Sequence, residues 1–165
     1  MLHPFHTAAR PGAFLVSDQL HQPVSLPPVE RNRQASPLRG SRVLVVDDDA
    51  EGREMVAALV MLAGAEVRTA TGGFEALEVL HSRWPTLLLS DLAMPAGDGY
   101  QLIRGVRRLR GGVLPAVAMS GSAASEDRER TRSAGFDAHL AKPVDVDELI
   151  SVLARLALTF RRPEH

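Results

Sequence analysis

Apolar positions in this chain fall into two kinds of run, short unbroken ones and longer ones with a helical period, and the two kinds alternate. Val43 to Val46 is an unbroken run of Val and Leu that ends in three carboxylates, Asp47, Asp48 and Asp49. A run so short and rich in β-branched residues predicts a strand buried on both faces. Met55, Ala58, Leu59 and Leu62 then stand at i, i+3, i+4 and i+7. That spacing predicts a helix with this stripe inward, Asp49 capping its start and Gly64 closing its end. The alternation repeats. Ala65 to Thr69 predicts a strand, Gly72 to His81 a helix with Phe74, Leu77 and Leu80 on one face, and Thr86 to Ser90 a central strand that stops at Asp91. Leu102, Ile103, Val106 and Leu109 mark a third helix with a basic opposite side, and Leu114 to Met119 the next strand. Ser125 to Ala134 is nearly all charged, so it is either an exposed helix held by charge pairs or a poorly ordered segment. Asp137 to Ala141 predicts the last strand, and Asp145 with Glu148 forms an Asp-x-x-Glu start for a final helix striped by Val146, Leu149, Ile150, Leu153 and Leu156.

Five strands alternating with five helices predict an α/β fold. Parallel strands need crossovers and the crossovers are right-handed, so helices cover both faces of the sheet. A doubly wound (βα)5 flavodoxin-like order, 2-1-3-4-5, brings the carboxyl ends of strands one, three, four and five to one edge, where such sheets place their ligand chemistry. Those ends carry Asp47 and Asp48, Asp91, Ser120 and Lys142.

Outside this pattern the chain is different in kind. Residues 1–40 hold six of the eleven prolines and show no period, which predicts a disordered Pro-rich leader, followed by one domain over 41–160 and a short tail at 161–165. His3 and His6 lie in that leader and are assigned no role. With 165 residues the chain suits a single core. No apolar stretch approaches the roughly 20 residues of a membrane span, and no signal peptide is recognisable, so a cytoplasmic protein is expected. The absence of cysteine excludes a disulfide framework, a thiol nucleophile and a Cys-based zinc site. A net charge of -1 without a basic, aromatic-studded stripe argues against direct nucleic-acid binding.

The strand-end residues suggest a chemistry. Asp91 is either the reacting group or a strand-ending turn aspartate. Carboxylates gathered at one edge repel unless a cation joins them, and hard oxygen ligands favour Mg²⁺, which binds through one or two carboxylates plus phosphate oxygens. A hydroxyl, Ser120, and an ammonium, Lys142, stand beside them, both able to take up phosphoryl oxygens. Phosphoryl transfer needs little more than an in-line nucleophile and charge neutralisation, and Asp91 is a nucleophile able to form an aspartyl phosphate. Lys142 is the one lysine among 19 basic residues, the rest being arginine. A compact ammonium fits a crowded site where a planar guanidinium does not; chance placement at a strand end is the alternative. Asp49 is best placed as a helix cap, outside the site.

VLVVDDD, LLLSDLAMP with DG three residues on, AMSGS and LAKPV together resemble the four signature segments of the receiver domain of bacterial two-component response regulators (CheY-like), over about residues 41 to 160. The resemblance implies that Asp48 and Asp91 bind Mg²⁺ with the backbone carbonyl of Ala93, that Asp47 assists through water, and that Asp91 is the phosphoacceptor. It makes Ser120 the switch hydroxyl and Lys142 the phosphate-pairing lysine, with a cis peptide at Lys142-Pro143. His139 stands where many receivers carry tyrosine or phenylalanine; it is a switch residue or an exposed edge-strand histidine. The implied partner is a sensor histidine kinase or histidine phosphotransfer protein, which supplies phosphoryl from phosphohistidine. The response would be a change in the face made by the fourth helix, fifth strand and fifth helix, in a monomer or a weak homodimer through that face. No output domain is expected after residue 160, so the chain would act by binding a partner or relaying phosphoryl. As such a module it catalyses only its own phosphorylation and dephosphorylation. Alternatives are the receiver part of a hybrid histidine kinase, a receiver-like module that never takes phosphate, and a haloacid-dehalogenase-like phosphatase. The last expects its two aspartates two apart on the first strand, whereas Asp47 and Asp48 are adjacent.

Overall fold

Parallel strands cannot be joined by tight turns, so each apolar strand here is followed by a helix that returns the chain to the start of the next. The structure, a computed structural model, describes residues 36–95, 99–109, 113–121 and 124–160. Strands β1 (Arg42–Val46), β2 (Glu66–Ala70), β3 (Leu87–Asp91), β4 (Ala116–Ser120) and β5 (Ala138–Ala141) form one parallel sheet in the order β2-β1-β3-β4-β5. Helices α1 (Ala50–Leu62), α2 (Gly73–Ser82), α3 (Gly99–Arg108), α4 (Ser125–Ala134) and α5 (Val146–Thr159) alternate with them. The expected doubly wound α/β order is therefore the observed one.

Alternation along the strands divides the core into two layers. Val43, Val45, Leu87, Leu89, Val117 and Met119 pack with Val56 and Val60 of α1 and Leu149, Leu153 and Leu156 of α5. Leu44, Val46, Leu88, Ala116 and Ala118 pack on the other side with Ala76 and Leu80 of α2 and Leu102, Ile103 and Val106 of α3. With both faces covered, β3 is buried at every position, which is why its sequence runs apolar without alternation up to Ser90. Asp49 caps α1 by accepting from Gly52 N at 2.8 Å, and Asp145 caps α5 by accepting from Glu148 N at 2.8 Å, as their positions predict.

Four details depart from the sequence reading. In α1 the buried residues are Val56, Ala57 and Val60, while Met55 and Leu62 are 56% and 77% exposed. Met55 to Ala63 is apolar throughout, so more than one stripe satisfies a helical period, and the sheet beneath decides which one is used. In α2, Phe74 is 77% exposed and the buried residues are Ala76 and Leu80; Phe74 lies about 200° around the helix from Ala76. Strand ends shift by a residue or two: β3 runs through Asp91 and β4 through Ser120 because their backbones stay paired past the apolar run. Of the two readings of Ser125 to Ala134 the helix is the one observed, α4, and it ends at Gly135 with φ 117°, the left-handed conformation that ends helices at glycine.

The fourth departure concerns the boundary expected at residue 41. Leu38 is fully buried in the α1/α5 layer, and its backbone N donates to Ala63 O at 3.0 Å. The turn over residues 36–40 packs where Gly64 (φ 101°) follows α1; a Cβ at Gly64 would run into Ser36. The ordered unit thus includes Ser36 to Gly40. The remainder of the leader, 1–35, and the tail at 161–165 lie outside the described residues.

Candidate functional site

Each strand of the central three ends in a polar residue or is followed at once by one, where the apolar run stops, and parallel pairing lines those ends up. Asp47 and Asp48 follow β1, Asp91 closes β3 opposite Met119, and Ser120 closes β4 opposite Ala141, one residue before Lys142. Carboxylate oxygens of Asp47, Asp48 and Asp91 all lie within 4.8 Å of one another. Asp47 and Asp91 are buried, at 1% and 4% exposure, and Asp48 is exposed. Lys142 Nζ bridges the two buried ones, 2.9 Å from Asp47 Oδ2 and 3.2 Å from Asp91 Oδ1.

Backbone bonds hold this arrangement. Asp47 N donates to Ala70 O, Leu92 N to Met119 O and Lys142 N to Ser120 O, at 3.2, 3.0 and 2.7 Å, so the ladder continues past the formal strand ends. Asp47 Oδ1 accepts from Asp49 N at 3.0 Å, and Arg53 Nη1 donates to Asp47 O at 2.7 Å. Ser90, buried under Asp91, donates its hydroxyl to Asp91 O at 2.9 Å. Gly99 opens α3 directly against that same carbonyl, close enough that a Cβ would collide with it, which explains the glycine after Asp98.

Charge at the cluster is uneven. Burial works against the Lys142 ammonium, but its hydrogen bond to Asp47 and the charges of Asp91 and Asp47 outweigh burial and hold its pKa above the ordinary lysine value. It is therefore a cation at neutral pH. Three carboxylates paired with one ammonium leave two formal negative charges in excess. Two like unit charges 4.8 Å apart repel by about 3.5 kcal/mol at an effective dielectric of ~20, so the two contacts of the ammonium roughly balance the three repulsive pairs and still leave the cluster net negative. Hard oxygen donors at this separation, with charge in excess, fit a small divalent cation.

The structure thus brings together Asp47, Asp48, Asp91 and Lys142 from the expected set. Ser120 stands half-buried at the neighbouring strand end, and Ala93 is exposed two residues after Asp91. His139 lies on β5 and contacts Thr131 of α4 at 3.2 Å, away from the carboxylates. The Lys142-Pro143 peptide is cis. Arg53 was missed by sequence reasoning; its position on the first turn of α1, close after the acidic run, is the signal that could have found it.

Residues 43–154 match the family model described as the response regulator receiver domain. The chain is 43% identical over 119 residues to an uncharacterised 14.6 kDa protein of the sodA1 3′ region of Leptolyngbya boryana, covering 72% of this chain and 91% of that protein. It is 38% identical over 120 residues to the sensor histidine kinase RcsC of Salmonella typhi, covering 73% of this chain but 13% of the kinase. Among solved structures, the receiver domain of the Francisella response regulator 1452 superposes with a TM-score of 0.69 at 26% identity, over 73% of this chain and 99% of that one. A match across that span, with the fold and the acidic strand ends in register, decides the family: this chain belongs to the response regulator receiver domains.

Proposed function

We propose that this receiver takes a phosphoryl group on Asp91 from a phosphohistidine of a sensor histidine kinase or histidine phosphotransfer protein, in the presence of Mg²⁺. The observation that carries the reading is the convergence of Asp47, Asp48 and Asp91 within 4.8 Å, with Lys142 bridging two of them. In the transfer, a carboxylate oxygen of Asp91 forms the new O–P bond as the P–N bond to the donor imidazole breaks, and the bonding pair leaves on the imidazole nitrogen. Asp48, Asp91 and the Ala93 carbonyl would hold Mg²⁺, with Asp47 acting through water. When bound, Mg²⁺ supplies neutralisation for the oxygens of the phosphoryl group. Lys142 follows the transferred group as an ammonium, and the Ser120 hydroxyl takes up one of its oxygens. Because Lys142 leads into the loop before α5 and Ser120 into the loop before α4, both grips connect the site to the α4-β5-α5 face. His139 lies within that face, as a switch residue.

The module is a signalling protein whose chemistry is limited to its own phosphorylation and dephosphorylation. A cytoplasmic location and a monomer or weak homodimer through the α4-β5-α5 face complete the reading. Among the described residues no helix is long and apolar enough to cross a membrane. The near-neutral charge speaks against direct nucleic-acid binding. A haloacid-dehalogenase-like phosphatase is not favoured, since the family match and the adjacent Asp47 and Asp48 both run against it. Likeness to 13% of a sensor kinase does not carry that kinase's activity to this chain. Incubation with acetyl phosphate and Mg²⁺, followed by intact-mass spectrometry, tests the assignment: one phosphoryl adduct is expected in the native chain and none in Asp91→Asn. An adduct that survives the substitution, or forms equally well in chelator, overturns it.

A further inference from the structure

The acidic turn after β1 is held one peptide unit at a time. Asp47 N donates to Ala70 O at 3.2 Å, which fixes the unit entering Asp47. Asp49 N donates to Asp47 Oδ1 at 3.0 Å, which fixes the unit entering Asp49. Between them lies the Asp47–Asp48 unit, and its carbonyl accepts from Arg53 Nη1 at 2.7 Å. Arg53 thus reaches back from the first turn of α1 to the middle of the acidic turn, while its own backbone N donates to Asp49 O at 3.0 Å. The start of α1 is pressed close enough for this reach: a Cβ at Gly52 would lie 2.8 Å from Asp49 Oδ2.

Asp48 is the residue that depends on these bonds. Lys142 bridges Asp47 and Asp91, but the Asp48 side chain is exposed and makes no hydrogen bond or ion pair among the described residues. Nothing at its own carboxylate aims it at the cluster, yet it offers an oxygen within 4.8 Å of the other two. Peptide units are planar, so the direction of a side chain follows from the two units that flank its Cα. For Asp48 these are the unit held by Arg53 and the unit held by Asp47 Oδ1.

Three roles for Arg53 predict different things. A half-buried helix residue with no link to the site would contribute to stability alone. A cation acting only by its charge beside the cluster would repel a metal ion, so removing it would tighten binding. A side chain that holds the Asp47 carbonyl would do the reverse, because its loss frees the unit that directs Asp48.

We propose that Arg53 is a positioning residue for the metal site: by fixing the Asp47–Asp48 peptide it keeps the Asp48 carboxylate directed to where Asp48 and Asp91 would hold Mg²⁺. The metal rests on the reading given above; the hold on the turn does not. Groups that orient a ligand without touching the metal contribute about ten- to a hundredfold in metal affinity.

The test is a Mg²⁺ titration of the full chain without phosphodonor, followed by amide NMR, on the native protein, Arg53→Met, Arg53→Gln and Arg53→Lys. Met keeps an apolar stem without charge or donor, Gln carries a donor too short to reach the carbonyl, and Lys keeps a cation and a donor for the bond to Asp47 O. Before metal is added, the Asp48 and Asp49 amides should move in Arg53→Met and Arg53→Gln and stay near their native positions in Arg53→Lys. Mg²⁺ affinity should fall by about tenfold in the two neutral variants and stay near native in Arg53→Lys. Melting in chelator sets the temperature of the titrations, so that each variant is read fully folded. Neutral variants that bind Mg²⁺ as well as the native chain or better overturn the proposal, as does an unmoved Asp48 amide. A native chain that ignores Mg²⁺ overturns the metal reading instead, and the metal-free spectra still decide whether Arg53 holds the turn.

Discussion

The two edges of this sheet are built from the same strands and handle charge in opposite ways. At the amino edge, guanidiniums close over backbone carbonyls and matched acids. Arg107 donates to Gly135 O, at 2.9 and 2.6 Å, to Leu114 O at 2.6 Å and to Asp137 Oδ2 at 3.0 Å, while Asp137 also accepts from Ala116 N at 2.8 Å. Arg42 donates to Trp84 O, and Arg83 pairs with Glu66 at 2.9 Å. At the carboxyl edge three carboxylates share one ammonium. The first edge is complete as folded, and its polar groups act as clamps on the ends of β4, β5 and β1. The second is left with charge that a cation and a phosphoryl group would balance, and folding stability is set against that purpose.

Breaking the amino edge should therefore cost stability and leave the chemistry alone. Leu38→Ala, which empties a fully buried site just before β1, should lower unfolding free energy by about 2–5 kcal/mol in denaturant titration, with the adduct at Asp91 still forming. Arg107→Ala removes charge-assisted bonds from the entry to β4 and β5 and should lose about 1–3 kcal/mol, again with phosphorylation intact. If either substitution abolished the adduct at a temperature where the fold persists, the two edges would not be separable.

At the other edge the expected effect is on response more than on stability. Lys142→Arg preserves charge but exchanges a compact ammonium, seated between Asp47 and Asp91, for the planar fork that works at the amino edge. The variant should bind Mg²⁺ and accept phosphoryl, yet lose most of the amide-shift response over α4, β5 and α5 seen on phosphorylation of the native chain. Identical spectra would make lysine and arginine interchangeable here. The smallest expected effect is none: Trp84 precedes β3 and lies on the order of 20 Å along the strand from Asp91, so its fluorescence should not respond to Mg²⁺. Strong quenching would place the indole near the wrong edge.

The same contrast explains what could be read without coordinates. Asp47, Asp48, Asp91 and Lys142 were legible because each interrupts or closes an apolar run, and a doubly wound order carries those interruptions to one edge. The clamps were not: nothing in the spacing of Arg107, Leu114, Gly135 and Asp137 announces that they meet. In α1 an unbroken apolar run from Met55 to Ala63 hides which face is inward, and Val56 and Val60 are chosen only by contact with Val43 and Val45 of the sheet. Leu38, alone between Pro37 and Arg39, has no periodic neighbours to mark it as core. Thr131 looks like one more polar residue of a charged helix, yet it is buried, in contact with His139, eight positions away on a strand.

The uncompensated charge of the carboxyl edge is open to a direct measurement, the thermal unfolding of the native chain and of Asp48→Asn, each in chelator and in saturating Mg²⁺. Removing one of three mutually repelling carboxylates should raise the melting temperature of Asp48→Asn by a few degrees in chelator, against the usual sign of a substitution. The native chain should gain from Mg²⁺, by about 2.7 kcal/mol at a hundredfold excess over the dissociation constant, and Asp48→Asn should gain little. A native chain indifferent to Mg²⁺, together with an Asp48→Asn variant that melts lower in chelator, would contradict the account.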